Sequence, residues 1–198
     1  MSEDRTEARI VLDEIETSWR DFWTTINALS DEDLTGPTDA AGWRGQDHIA
    51  HLGAWERGVI FMLNGYPFHA GLGVDEELWV NGDIDTLNAV IYDLNRDREL
   101  EDVRTGVRAT HTELLTTIGG LEPDQFNAPI PAGDAADPAN PPLLREKIAG
   151  RVDRRAGGGC AGLSRYGMRF AQIDSGKRGS RSTSQTACAA RELLPALK

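Results

Sequence analysis

Cysteine is scarce in this chain, basic charge is scarce over most of it, and long apolar runs and strand-like alternation are missing. The two cysteines, Cys160 and Cys188, lack metal-ligand spacing, which excludes a disulfide framework and a cysteine-based zinc site. A formal net charge of -11 argues against a nucleic-acid or anionic-membrane partner, since both need a basic face. The longest apolar run, Val59 to Leu63, is too short to cross a bilayer, and no charged-then-apolar leader precedes it. A cytoplasmic protein without a membrane partner is the expectation. No Gly-rich phosphate loop is present: Gly157-Gly-Gly is not followed by the required Lys and Ser/Thr. A Gly-x-Ser-x-Gly elbow is also missing, and neither cysteine has a neighbouring histidine to activate it.

What charge there is divides sharply. Residues 1–150 hold 11 Lys/Arg against 29 Asp/Glu, whereas residues 151–198 hold 10 against 3. From Arg151 onward the chain is rich in Gly, Ser and Arg and loses any helical or strand period. Such a composition buries too little apolar surface to offset its chain entropy. The expected organisation is therefore a folded unit over 1–150 and a disordered basic tail over 151–198.

The folded part reads as helices. Leu12, Ile15, Trp19, Phe22, Ile26 and Leu29 form an unbroken stripe with acidic and polar residues opposite. A second stripe, Val103, Val107, His111, Leu114, Ile118 and Leu121, predicts a helix from about Glu99 to Ile118. A shorter helix is expected from Ile84 to about Asn95, carrying Leu87, Val90, Ile91 and Leu94. Gly65-Tyr-Pro and Gly71-Leu-Gly read as loop signals, and Pro129 to Pro142 as a linker before a helix starting at Leu143. Asp31–Asp33 and Glu122–Asp124 read as helix starts, since they lack the glycine and ligand period of a calcium loop. A shift of 92 residues carries Val11 to Val103, Ile15 to Val107, Phe22 to Leu114, Ile26 to Ile118 and Leu29 to Leu121. The same shift takes Leu34 to Phe126, Pro37 to Pro129 and Trp19 to His111, so His111 should point inward. Two helix–turn halves of this kind suit a four-helix bundle.

The segment from Gly42 to Phe61 is the most informative. It predicts a helix entered through Trp43, with His48, Leu52, Trp55, Val59 and Met62 on one buried face. His51 lies beside that face. An imidazole among apolar rings can be a metal ligand, a base or a satisfied core group, and these remain open here. His48 reads as a packing or surface residue, His111 as a core histidine and His69 as exposed. Asp47 suits the helix start, where the dipole favours an anion. Glu56 reads as a partner to a histidine or as half of a surface pair. Trp43, Trp55, Trp79 and Tyr92 can line an aromatic pocket or serve as core.

Gly42-Trp43, Asp47-His48-Ile49-Ala50-His51-Leu52 and Trp55-Glu56 together resemble the second helix of the DinB-like superfamily. That superfamily includes the mycothiol-dependent maleylpyruvate isomerases and the ClbS/DfsB proteins. Leu29-Ser-Asp-Glu-Asp-Leu34, and Asn88-Ala-Val-Ile-Tyr92 followed by Leu100-Glu-Asp-Val103, are most similar to the ClbS/DfsB branch. The resemblance spans about residues 7–150. It implies an all-α, up-up-down-down four-helix bundle with a pocket near one end.

It also implies a chemistry. Many members bind a divalent metal such as zinc or nickel through the histidine of an Ala-His-Leu element, which falls on His51. Two further ligands lie four residues apart on helix four, where one helix face can present both. No histidine follows Gly150, so that pair has no counterpart and the metal site is incomplete. Either helix four is truncated or replaced, as by a frame change in the coding sequence near Gly150, or the chain is a metal-free member with a tail of its own. Both accounts leave an apolar groove thinly covered, which predicts marginal stability or self-association as a homodimer.

Two functions follow from the resemblance. One is a metal-dependent transferase or isomerase linked to a low-molecular-weight thiol cofactor and acting on a small-molecule substrate. The other is a metal-free, ClbS/DfsB-like small-molecule binding or self-protection protein with an aromatic pocket formed by Trp43, Trp55, Trp79 and Tyr92. A third reading is a chain inactive through the loss of its last helix.

Overall fold

A computed structural model describes residues 3–131, 139 and 141–148 of the chain, so the tail expected over 151–198 lies outside the described residues. Nine helices occur within them: α1 (Glu3–Ile26), α2 (Asp31–Thr35), α3 (Gly45–Leu63), α4 (Phe68–Leu72), α5 (Glu76–Asn81), α6 (Ile84–Asn95), α7 (Leu100–Gly119), α8 (Pro123–Phe126) and α9 (Leu144–Ile148). Among the described residues there is no strand, only the isolated antiparallel bridges Thr38–Arg44 and Pro129–Leu143. The fold is all-α. No helix among the described residues is long and apolar enough to cross a membrane.

The helix starts follow local chemistry. Ser30 caps α2 by accepting the Asp33 N–H, while the Asp33 carboxylate accepts the Ser30 N–H at 3.1 Å. This reciprocal box satisfies two amide donors that the first turn would otherwise leave open. Asp83 caps α6 through the Thr86 N–H at 2.8 Å. At α3 the Asp47 carboxylate accepts the backbone N–H of Arg44 at 2.8 Å and grips its guanidinium at 3.0 and 2.9 Å. The helix-start role expected for Asp47 is therefore fulfilled, with a partly buried ion pair to Arg44 added.

Two expectations about the long helices need correction. The α3 segment is buried on nearly every side rather than along one face: Ile49, Ala50, Leu52, Ala54, Trp55, Val59, Ile60 and Met62 all lie inside, with Arg57 exposed. It is the central helix, packed most extensively against α7 and α4. In α1 the buried positions are Val11, Ile15, Trp23 and Ile26, whereas Trp19 and Phe22 are half-buried. The stripe is rotated toward Val11 and Trp23, which the sequence stripe leaves out.

The loop signals between Gly65 and Gly73 flank a helix instead of replacing it. Pro67 precedes α4, and Gly73, with φ at +80°, ends it in the left-handed region. Five residues are too few to show a 3.6-residue period, which is why α4 escapes the pattern. The same holds for α5, whose start is capped by Asp75 through the Leu78 N–H at 2.7 Å. His69 is half-buried, its Nδ1–H donating to the Val74 carbonyl at 2.9 Å, and so is not the open surface residue expected.

The internal echo is visible in three dimensions. Leu34 and Phe126 are both fully buried, as are Ile26 and Ile118. Each half then makes one bridge and starts a helix with an acid at the third position: Asp47 accepts the Arg44 N–H, and Glu146 accepts the Leu143 N–H.

The crossing of α3 and α4 depends on two glycines. A Cβ at Gly71 would lie 2.6 Å from the Arg57 carbonyl oxygen and 2.7 Å from the Gly58 Cα, both backbone atoms that cannot turn aside. Gly71→Ala should therefore destabilise the protein by about 1–3 kcal/mol, the usual cost of forcing atoms into a packed contact. Urea unfolding measures this. An unchanged midpoint would show that the two helices can separate freely.

Candidate functional site

Trp43, His51 and Trp55 lie close in the sequence and Trp79 and Tyr92 far from them, and the fold draws all five into one row of rings. Trp43 reaches it through a tight turn. Asp39 Oδ1 accepts the N–H groups of Ala41 and Trp43, each at 2.9 Å, and Gly42 between them holds φ at +86°. Tyr92 of α6 stacks on Trp43 with centroids 5.3 Å apart and planes at 24°. The Trp43 ring then meets His51 edge-on at 5.1 Å, and His51 meets Trp55 at 6.0 Å. Trp55 leads to Phe68 of α4 at 5.7 Å, and Phe68 stacks on Trp79 of α5 at 5.3 Å and 24°. Trp55 and Phe68 are buried, whereas Trp43, Trp79 and Tyr92 are half-exposed. Both ends of the row therefore reach the surface. Phe68 went unrecognised in the sequence because nothing there separates it from the loop residues beside it.

His51 occupies the centre of the row and is 2 % exposed. Its Nε2 accepts the indole N–H of Trp55 at 2.8 Å, one helical turn ahead. In a neutral ring the proton then sits on Nδ1, which is buried and makes no hydrogen bond among the described residues. Burial, helped by the nearby His48, pushes the imidazole down to about 3. His48 itself contacts the Asp39 carboxylate through Nε2 at 2.9 Å. Burial alone would raise Asp39, but the His48 contact and the backbone N–H groups of Trp43 and Ala41 hold it below its ordinary value.

That arrangement does not fit a metal at His51. The lone pair a metal would take is already used by the Trp55 indole, and the other nitrogen carries the proton. Among the described residues no group of three His, Cys, Asp or Glu side chains is placed to hold a metal ion.

A second polar pair lies on another face of α3. Glu56 Oε1 accepts the Nδ1–H of His111 at 2.8 Å, and both residues are at least 96 % buried (exposures of 2 % and 4 %). The imidazole lies flat against Trp19 of α1, with centroids 3.7 Å apart and planes at 5°. The echo that matches Trp19 with His111 thus joins two residues in direct contact. Burial raises the Glu56 carboxyl above its usual range, an effect His111 only partly offsets. Glu56 Oε2 and His111 Nε2 are buried without a hydrogen bond among the described residues. Leaving such atoms bare costs about 1–3 kcal/mol each, more for a charged group. The sequence allowed Glu56 a histidine partner without identifying which one.

His51 makes stability depend on pH. Its folded value lies below the ordinary 6.5, so the unfolded chain binds the extra proton between about pH 6.5 and pH 3. Stability is then fully present above pH 6.5 and falls as pH drops through that window. Between pH 7 and pH 5 the contribution of His51 should amount to about 2 kcal/mol. Urea unfolding of the wild type and His51→Gln at both pH values measures it. Equal losses in the two proteins would show that His51 is not the group responsible.

Comparison with known families supplies the remaining fact. The family model for the DinB superfamily matches residues 14–146, the span from α1 into α9. No curated protein and no solved structure gives a significant match. The matched span covers roughly two thirds of the sequence and contains both the ring row and the Glu56–His111 pair, and the chain belongs to the DinB superfamily.

Proposed function

We propose that this chain is a small-molecule binding protein of the metal-free, ClbS/DfsB-like kind, with the ring row as its binding face. The observation that carries this reading is the Trp55–His51 hydrogen bond, which commits the superfamily's metal-binding histidine to an indole. In that reading the long helices follow the up-up-down-down course, with α9 as the first turn of helix four. Half-exposed Trp43, Tyr92 and Trp79 offer flat apolar faces, which suit a planar or apolar molecule better than a charged one. His51 serves as the acceptor that fixes the Trp55 ring, and no proton transfer is asked of it.

Two measurements test this. Elemental analysis of purified wild-type protein and His51→Ala should find no stoichiometric zinc or nickel in either. Metal present in the wild type and lost in the variant would replace this reading with a metal-assisted, thiol-linked transferase or isomerase. Titration with the neutral fluorophore Nile red should quench tryptophan emission. Trp43→Ala should weaken that binding roughly tenfold, the value of about one stacked ring. Equal affinity in both proteins would remove Trp43 from the binding face.

A further inference from the structure

Beyond the ring row, the interior of the molecule contains a second device. The Glu56 carboxylate holds the Nδ1–H of His111, so the ring presents its remaining nitrogen, Nε2, with no described group bonded to it. This is the geometry by which a carboxylate fixes the tautomer of an imidazole and leaves the far nitrogen as a base. Here both Glu56 Oε2 and His111 Nε2 await a donor. Trp19, stacked flat on one face of His111, is itself half-exposed, so part of the cover over the imidazole reaches the surface.

We propose that Glu56 and His111 form an acid–base dyad, closed by Trp19, that accepts the proton of a small hydroxyl- or thiol-bearing molecule, water included. In the step, the O–H or S–H bond of the ligand breaks and its electron pair stays on oxygen or sulfur. The proton bonds to the lone pair of His111 Nε2. The ring keeps its Nδ1–H, and the resulting imidazolium is held against the Glu56 carboxylate. Oxidant and metal are not needed. The inference stands apart from the ring row, because consecutive positions such as Trp55 and Glu56 point about 100° apart around α3.

Diethyl pyrocarbonate, which acylates an imidazole nitrogen bearing a free lone pair, is the probe. Full-length folded protein is treated with it and the modified histidines are located by peptide mass mapping, with His48 and His69 as internal references. The expected result is acylation of His111, faster in Trp19→Ala and slower by roughly tenfold in Glu56→Gln, with the reference rates unchanged. A wild type in which His48 and His69 react while His111 stays unmodified overturns the proposal. So does a Trp19→Ala variant whose His111 reacts no faster. If Glu56→Gln fails to fold by circular dichroism, the wild-type and Trp19→Ala results decide alone.

Discussion

Burying α3 on nearly all sides is the constraint from which the rest of this structure follows. A helix enclosed in that way can carry polar side chains only where each finds a partner, because an unpaired buried charge is among the costliest things a fold can hold. Three acidic or basic groups of α3 are inside, and each is answered from a different direction. Asp47 is met by the residue that caps its own helix, His51 by an indole one turn on, and Glu56 by α7. The third pairing ties the position of α7 to that of α3. Gly53 lets them approach, since a Cβ there would come within 2.7 Å of Val107.

The same economy appears in the two halves of the chain. Each runs from a long helix through a short acidic one to a single bridge and then into a helix boxed by an acid. Ile49 and Ile148, both completely buried, occupy the same place after that box. Trp19 and His111 are equivalent in the repeat and also touch. The Trp19–His111 stack is therefore one point at which the two halves meet directly.

Much of this was legible in the sequence, and what was missed has physical causes. Periodicity gave α6 its limits at Ile84 and Asn95, and it gave α7 within a residue of each end, because long helices repeat their pattern several times. The short helices α4 and α5 were hidden because one turn has no period to detect. The membership of Trp43, Trp55, Trp79 and Tyr92 in one row was open to inference from aromatic type, but the link between Trp55 and Trp79 is Phe68, which only the α3–α4 crossing brings in. Pairing across helices is likewise invisible to local pattern. Glu56 and His111 are 55 residues apart, and nothing near either names the other.

The two buried imidazoles show how one residue type takes different roles. His51 spends its lone pair on an indole, a donor that gives no proton away, so the ring stays neutral and fixed. His111 spends its N–H on a carboxylate and keeps its other nitrogen unbonded among the described residues. The first arrangement resists protonation. His51 thereby serves as the acceptor for an indole, while Glu56 and His111 meet on the side of α3 that faces α7. The position of a histidine on a helix does not decide its chemistry; the first atom its ring meets does.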